Sequence, residues 1–473
     1  MASTAPDLLL ISDLHLGSHL KPRMRGEYVH LAASIDESLP KFLDHYLREG
    51  GRWQLVINGD FIDFWNIELG RDEALTGEAL AIHRLHTALD AYPGVEDALV
   101  RVLEAGHGIV FIAGNHDAEL LYRGVRRALA DRLEGGALRA EAGQGHASRT
   151  GTGRLDELEP GRVTCVPWFL REEGGAWIEH GHNFDAACST PAQLSPTRQG
   201  RLVQSLAEVA TRSFSNLMPE IDYDAPDRYT LLDYARWATA RGLRFAIYVI
   251  LLYLRMAGRI IALWARTGRV DKAGKKAHDE RMSAVAANAG LQMGALTAIE
   301  KMAPPPSSVT VGGALSVIAL DLILTLLVTT TLVTVLCVQL LGAPRLLGVP
   351  VGLALGVLAA RGVGKRRQKR DVHEDMARVA SQVGRVTRAP LVLMGHSHRG
   401  EILINDGIVY GNSGSWLDGS HLVVRRDRAT GRLAHVELRS WRNGGVVVLE
   451  EVEVPELAPE ASGRARIEAA ATP

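Results

Sequence analysis

Five short segments share one pattern, in which an apolar run of strand length ends abruptly in residues that can bind a metal. Three of them lie near the amino terminus: LLLISDLHLGS (8–18), LVINGDFIDFW (55–65) and IVFIAGNHDAE (109–119). Two come later, AWIEHGHNFD (176–185) and LVLMGHSHRG (391–400). Short apolar runs of this kind are typical of buried parallel strands. The repetition therefore predicts an α/β fold.

The polar residues of these segments are expected to meet at one edge of the fold. In open α/β sheets the ligand site lies beyond the carboxyl ends of the strands, and glycines at positions 17, 59 and 114 permit tight turns there. The residues that would emerge at this edge are Asp13, His15, Asp60, Asp63, Asn115, His116, Asp117, His180, His182, Asp185, His396 and His398.

This set of donors indicates a metal centre rather than a structural zinc site. Carboxylate oxygens and imidazoles together suit manganese, iron or zinc, and the chain has only 3 cysteines, without CxxC spacing. There are more donors than one ion needs. A shared carboxylate can bridge two ions roughly 3.5–4 Å apart, which activates water and stabilises both oxygens of a phosphoryl transfer. Asp60, central in the series, is the natural bridge.

The order of the motifs resembles that of the calcineurin-like metallophosphoesterases. The motifs are Asp13-x-His15, Gly59-Asp60-x-x-Asp63, Gly114-Asn115-His116-Asp117, His180 and Gly395-His396-x-His398. The resemblance implies an α/β fold with a β-sandwich flanked by helices. It also implies two divalent metal ions, with Mn²⁺ expected and iron or zinc as alternatives. One ion would be held by Asp13, His15 and His398, the other by Asn115, His180 and His396, with Asp60 shared. His116 would be catalytic, acting on the leaving group, with Asp63 orienting it.

Within that family the sequences of the motifs are most similar to those of the branch that contains UDP-2,3-diacylglucosamine pyrophosphatase, a lipid A biosynthesis enzyme. The implied substrate is a phosphorylated small molecule or lipid, with a nucleotide-linked lipid as the first candidate. A soluble phosphodiester or phosphomonoester is the alternative, and a non-catalytic membrane scaffold is the alternative of another class. Nucleic acid is not expected, because the net charge is -1 and no broad basic groove can be read from the sequence. The oligomeric state stays open.

A large insertion separates the fourth cluster from the fifth. In residues 241–269 an apolar segment carries six arginines that fall within an arc of roughly 80° on a helix, which predicts a helix lying in a membrane interface. The arginines are Arg241, Arg244, Arg255, Arg259, Arg266 and Arg269. A core-packed helix with its arginines facing water is the alternative.

A transmembrane hairpin is expected at about 311–360. The run 322–341 is long enough to cross about 30 Å of hydrocarbon, whereas 346–360 is marginal. All five clusters must share one compartment, which requires an even number of crossings. Basic residues on both sides of the hairpin predict a catalytic domain in the cytoplasm, attached to the inner (cytoplasmic) membrane. A soluble hydrophobic layer or a dimer interface is the alternative.

These features give an expected domain order. Residues 1–190 and 385–454 would form the two parts of the metallophosphoesterase domain, 191–384 the helical insertion and 455–473 a disordered tail. The amino terminus lacks the features of a secretory signal, which favours the cytoplasm. Asn412 and Ser415, in a YxNxGSW stretch, are candidates for supporting the site or for turn formation. Histidines outside the clusters, including His373 and His421, are expected at the surface or in loops.

Overall fold

The structure is a computed structural model that describes most of the chain. The described residues are 5–18, 27–67, 75–137, 151–152, 162–172, 175–218, 231–267, 269–317, 320–339, 345–366 and 371–456. The expected disordered tail therefore lies outside the described residues beyond position 456. Within them the chain is mixed α/β, which confirms the coarse fold class predicted from the sequence.

Two large sheets form the centre of the molecule. The first has seven strands in the order β15 (Gly445–Glu453), β14 (Leu433–Arg442), β13 (Ser420–Arg426), β1 (Asp7–Ile11), β2 (Trp53–Asn58), β3 (Gly108–Ile112) and β5 (Val163–Val166). The second has six strands in the order β11 (Gly400–Asn405), β12 (Ile408–Ser413), β10 (Leu391–Met394), β7 (Ala176–Glu179), β6 (Phe169–Glu172) and β4 (Gly151–Thr152). A two-stranded hairpin joins β8 (Thr197–Arg198) and β9 (Arg201–Leu202).

Thirteen α-helices are described around these sheets. In chain order they are α1 (Glu27–Glu49), α2 (Glu78–Asp90), α3 (Pro93–Glu104), α4 (Arg123–Ala137), α5 (Leu206–Ser213), α6 (Leu231–Ala240), α7 (Leu243–Ala262), α8 (Lys272–Asn288), α9 (Met293–Met302), α10 (Val311–Val317), α11 (Leu320–Gln339), α12 (Arg345–Arg366) and α13 (Val372–Thr387).

Strand β1 shows how the layers form. Successive side chains of a strand point to opposite faces, so both faces of an apolar strand need a cover. Leu8 and Leu10 lie in the core between the two sheets, whereas Leu9 and Ile11 lie in a core shared with α1 to α4. The outer face of the second sheet packs in the same way against α8, α9 and α13. The layers are therefore helices, sheet, sheet and helices.

Three helices expected within the insertion belong to this layered body. Met282 on α8, Ile299 on α9 and Met376 on α13 are buried in one core with Trp177 and Val392 of the second sheet. These helices therefore pack with the second sheet, which the sequence did not predict because the spacing of the motifs does not reveal which helix faces a sheet covers. Among described helices, α5 to α7 and α10 to α12 lie outside the core of the second sheet.

Two described helical segments, Leu243–Ala265 and Leu322–Gln339, are long and apolar enough to cross a membrane. The total is three if α8 and α9 count as one broken span, although they meet at 119° and pack on the second sheet. The helix α12 spans 22 residues, but its apolar part, Leu347–Val363, is shorter than either candidate span, which agrees with the marginal run expected at 346–360.

The helix α7 divides its apolar residues between two faces. Val249, Leu252 and Ile260 are among the residues buried in a core shared with α5, α6 and α10. A second strip is exposed; its large members are Leu243, Ile247, Ile250, Leu251, Leu254 and Ile261. The sequence predicted a single apolar face opposite the arginines. In the structure, half of this face packs against the other helices of that core.

The helices α11 and α12 pack closely through small residues. Gly348, Gly352 and Gly356 recur every four residues on α12 and face α11, where a Cβ on Gly352 would lie 2.6 Å from the carbonyl oxygen of Thr330. Glycine inside a helix costs roughly 1 kcal/mol relative to alanine, so this stripe is explained by close helix packing of the kind found in membranes. Large apolar side chains on both helices are exposed, including Leu332 and Leu347.

Candidate metal centre

The five clusters predicted from the sequence lie together in the structure. Backbone hydrogen bonds join neighbouring loops: the amide of Asp13 donates to the carbonyl of Gly59 at 3.2 Å, and that of His15 to Asp60 at 2.9 Å. The amide of Gly395 donates to the carbonyl of His180 at 3.0 Å. The third loop joins them because the amide of His116 donates to Asp60 Oδ1 at 2.8 Å.

The first donor set consists of Asp13, His15 and His398. One potential ligand atom from each lies within 4.8 Å of the others. His398 Nε2 is 3.1 Å from Asp13 Oδ1 and 3.4 Å from His15 Nε2. This is the group that the family resemblance assigns to one ion.

The second donor set consists of Asp60, His180 and His396, again within 4.8 Å of one another. Asp60 Oδ2 is 3.3 Å from His180 Nε2 and 3.9 Å from His15 Nε2, a member of the first set. A single carboxylate oxygen is thus close to donors of both sets. Asp60 occupies the position expected of a shared ligand.

Buried polar atoms support a fit to metal ions. Asn115 Oδ1, His180 Nε2 and His396 Nδ1 are buried and have no hydrogen-bond partner among the described residues. Buried polar atoms are nearly always paired, so three buried atoms without a hydrogen-bond partner in one place require an explanation. Each atom is of a type that binds a divalent ion, and each residue was predicted as a ligand of the same ion.

Both histidines of this set have a hydrogen-bond partner on the ring nitrogen that would not bind the ion. His180 Nδ1 donates to the carbonyl of Asn58 at 2.7 Å, which leaves the lone pair on Nε2 for an ion. His396 Nε2 is 3.3 Å from Asp185 Oδ2, which leaves Nδ1 for an ion. Metal-binding histidines usually carry such a partner on the other nitrogen. The role of Asp185, left open by the sequence, is therefore to support His396.

His182 lies beside this set but outside the donor groups found in the described part of the chain. Its ring centroid is 5.5 Å from that of His180 and 6.4 Å from that of His396. Burial, together with these two neighbouring imidazoles, lowers the pKa of His182 well below its usual value. It is therefore a neutral neighbour of the site.

The backbone at the site is conformationally unusual. Five of the donor residues adopt a left-handed conformation, with φ of 55° at Asp13, 50° at His15, 53° at Asp60, 66° at His396 and 57° at His398. Such a conformation costs about 1–2 kcal/mol for a residue other than glycine, and strain of this kind concentrates at functional sites. Half of the residues other than glycine with positive φ in the described chain are these five donors.

Charge interactions set the protonation of the donors. Burial alone would raise the pKa of Asp13, but His398 lowers it to about 2, and His180 holds the pKa of Asp60 well below its usual value. Burial lowers the pKa of His15 to about 4, so this imidazole is neutral and ready to bind an ion. Although burial opposes its charge, Asp60 raises the pKa of His180 to about 10. An ion that binds His180 must therefore displace a proton.

His116 forms a hydrogen-bonded pair with Asp63. Its Nδ1 hydrogen bonds to Asp63 Oδ1 at 2.9 Å, as the sequence predicted for this pair. Its ring stacks on the indole of Trp65, with centroids 3.7 Å apart. Burial alone would lower its pKa, but Asp63 and Asp60 together raise it. The donor group formed by His15, Asp63 and His116 is thus explained by a hydrogen-bonded pair next to a ligand.

Several residues hold the loops without supplying ligands. Asp117 accepts hydrogen bonds from the amides of Gly114 and Phe61. Asn412 Nδ2 donates to the carbonyl of Gly395 at 2.7 Å, and Ser415 Oγ donates to the carbonyl of Asp13 at 3.3 Å. Both residues also bond to their own turn, since Asn412 Oδ1 accepts from the amide of Gly414 and Ser415 Oγ from the amide of Leu417, so both of the roles considered for them are present.

Some buried polar residues were not anticipated from the sequence. Glu179, next to His180, accepts hydrogen bonds from the indoles of Trp168 and Trp177, and burial raises its pKa to about 7. His373 and His421, expected at the surface or in loops, are buried in a helix and a strand respectively. The ring of His421 hydrogen bonds to the hydroxyl of Tyr46 at 2.8 Å.

Comparison with known proteins identified neither a matching protein-family model nor a similar curated protein. The function must therefore be argued from the motifs and from the geometry of the site.

Proposed function

We propose that this protein is a metal-dependent hydrolase of phosphoric ester or anhydride bonds, of the calcineurin-like type, with a dinuclear metal centre. The observation that carries the proposal is the position of Asp60 Oδ2, 3.3 Å from His180 Nε2 and 3.9 Å from His15 Nε2, between two separate donor sets. A carboxylate shared between two ions is the usual arrangement for activating water and stabilising a phosphoryl transfer.

The residues divide the work as follows. Asp13, His15 and His398 would hold one ion, Asn115, His180 and His396 the other, and Asp60 both. Two divalent ions, with Mn²⁺ expected and iron or zinc as alternatives, would supply an activated water and neutralise the charge of the phosphoryl oxygens.

His116 would protonate the leaving oxygen. Asp63 Oδ1 accepts a hydrogen bond from Nδ1, so Nε2 is the nitrogen that would face the leaving group. The raised pKa of His116 keeps its proton available near neutral pH, which a general acid requires.

The insertion would attach the enzyme to the inner (cytoplasmic) membrane, with the catalytic domain in the cytoplasm. Support comes from the exposed apolar side chains of α11 and α12 and from the exposed strip of α7, which Arg244 and Arg255 border. Basic residues flank the hairpin on both sides, as the positive-inside rule expects of cytoplasmic ends. A phosphorylated lipid is therefore the favoured substrate class, with a nucleotide-linked lipid such as UDP-2,3-diacylglucosamine as the first candidate.

The test is release of UMP from UDP-2,3-diacylglucosamine by detergent-purified protein in the presence of Mn²⁺. An aryl phosphodiester serves as the generic substrate, and the Asp60→Asn variant as the blank. UMP release well above the generic rate would support the lipid substrate. Cleavage of the generic ester alone would keep the chemistry and favour a soluble substrate. No cleavage of either would favour the scaffold.

A further inference from the structure

The loop Asp63–Asn66 encloses His116 on three sides. Asp63 Oδ1 accepts from the ring at 2.9 Å, the indole of Trp65 stacks on the ring, and the amide of Phe64 donates to the carbonyl of His116 at 3.1 Å. Asn66 in turn donates from its side chain to the second oxygen of Asp63. The position of the imidazole therefore depends on the position of this loop.

The opposite side of the same loop is held by the helical insertion. Arg212, in the last turn of α5, donates from Nη2 to the carbonyl of Phe64 at 3.0 Å. Asn216, in the short helix Ser215–Leu217, donates from Nδ2 to the carbonyl of Trp65 at 3.3 Å. The guanidinium of Arg212 is itself fixed by Glu208, with Nε 2.8 Å from Oε1.

The helix α7 supports this segment from behind. Arg259 Nη1 donates to Ser213 Oγ at 3.1 Å, and the hydroxyl of Tyr248 donates to the carbonyl of Leu217 at 2.9 Å. The side chains of α5 and α7 also share one apolar core. The helix that carries the exposed apolar strip is therefore connected to the loop of Trp65 through one intervening segment.

We propose that Arg212 and Asn216 are positioning residues for His116, so that the helical insertion completes the catalytic site of the sandwich. This inference rests on the proposed function, in which His116 protonates the leaving oxygen. A misplacement of about 1 Å in a catalytic group can cost about 10²-fold in rate. Two hydrogen bonds to consecutive carbonyls, one from a charged donor, fix the loop against such a displacement.

Leaving-group dependence separates this role from a general structural one. We compare Arg212→Met and Asn216→Leu on bis(p-nitrophenyl) phosphate and on diphenyl phosphate, whose leaving oxygen is the more basic. Because only a basic leaving oxygen needs protonation, we expect kcat to fall about ten- to hundredfold for diphenyl phosphate and less than about threefold for the nitrophenyl ester. KM and bound metal should stay unchanged, and Arg212→Lys should recover part of the loss.

The matched control is Arg236→Gln, which removes another arginine of the insertion whose side chain is 72% exposed. It should match the wild-type rates on both esters. Equal losses on both esters, or no loss in Arg212→Met and Asn216→Leu with the fold intact by thermal melting, would overturn the proposal.

A second readout does not depend on catalysis. A proton over the face of an indole resonates upfield, so the ring protons of His116, assigned with His116→Gln, report the stacking on Trp65 in histidine-labelled protein. We expect this shift to move toward the ordinary value in Arg212→Met and Asn216→Leu and to stay in Arg236→Gln. An unmoved shift contradicts the inference. A moved shift in a protein that cleaves no ester leaves the positioning intact and rejects the proposed function instead.

Discussion

In most folded proteins charged and polar side chains are exposed and large apolar side chains are buried. The metal-site loops and the α11–α12 hairpin depart from this arrangement in different ways. At the site, carboxylates and imidazoles are buried, and Asn115 Oδ1 and His180 Nε2 lack hydrogen-bond partners in the described chain. In the hairpin, large apolar side chains such as Leu332 and Leu358 are exposed. Buried unpaired polar atoms and contiguous exposed apolar surface are both unfavourable for a chain alone in water.

The difference teaches that the two regions need different partners. Carboxylate and imidazole donors within 4.8 Å of one another are suited to a divalent cation, whereas exposed apolar side chains are suited to hydrocarbon. The helix α7 has features of both regions. One face packs on the segment that holds the Trp65 loop, and another face is apolar and exposed. The comparison predicts that substitutions at the site act on chemistry, and that substitutions in the hairpin act on membrane attachment.

The largest effect is expected from Asp60→Asn. The amide keeps the shape of the side chain but loses the charge that both donor sets share, so hydrolysis should fall to background, beyond the roughly 10²–10³-fold typical of one lost electrostatic contact. Membrane extraction of the variant should be unchanged. The measurement is the initial rate on an aryl phosphodiester with Mn²⁺. A rate near wild type would remove the basis for a shared ligand.

His116→Ala comes next. Loss of a general acid costs about 10²- to 10⁴-fold, and bound metal should remain because the seven expected ligands are untouched. Metal content and kcat are measured on the same preparation, with the exposed His435→Ala as the control. Loss of metal in His116→Ala would mean that His116 is a ligand.

Asp185→Asn tests the support of His396. Removing the carboxylate partner of a metal-bound histidine typically costs 10- to 100-fold in affinity or activity, and we expect a loss in that range. The affinity for Mn²⁺ is measured by titration calorimetry. Cys188→Ala is the matched control, because Cys188 is the third member of the donor group formed with Asp185 and His396. Equal effects of the two substitutions would argue for a separate metal site there.

The hairpin packing can be broken without touching the site. A Cβ on Gly348 would lie 3.5 Å from the Cβ of Cys337, which suits a disulfide, so Gly348→Cys should cross-link to Cys337 under mild oxidation. Adding Gly352→Leu should push the helices apart, destabilise their packing by about 1–3 kcal/mol and slow the cross-linking. Gly362→Cys, which has no neighbour within 4 Å, is the control and should not cross-link. Efficient cross-linking despite Gly352→Leu would contradict the packing.

The smallest effect concerns the arginines that border the exposed strip of α7. Each basic residue near an anionic bilayer contributes about 1 kcal/mol, so Arg244→Gln with Arg255→Gln should weaken the contact of α7 with such lipids and leave hydrolysis of a soluble ester unchanged. A fluorophore on Leu251→Cys, which is 59% exposed, reports the contact in reconstituted vesicles. If the fluorescence emission changes neither with the lipid charge nor with the substitutions, the exposed strip of α7 lies in water.

The proximity of the predicted donor residues could be anticipated from the sequence for a physical reason. Asp13 and His398 are far apart along the chain, but each comes shortly after a buried strand, β1 in the first sheet and β10 in the second, and an apolar run that ends in polar donors can be recognised in a sequence. No such rule predicts the positions of the Trp65 indole and the Arg212 guanidinium, because their contacts depend on side-chain packing between distant segments. The burial of α8 and α9 was missed for the same reason, since an apolar helix face does not reveal whether a sheet or a membrane covers it.

The most direct test of the account is the Mn²⁺ stoichiometry and electron paramagnetic resonance spectrum of the metal-loaded protein. The account predicts two Mn²⁺ per chain with the multiline signal of exchange-coupled ions, and loss of that coupling in Asp60→Asn. One Mn²⁺ per chain, or two that give the signal of isolated ions, would contradict a centre built around a shared Asp60.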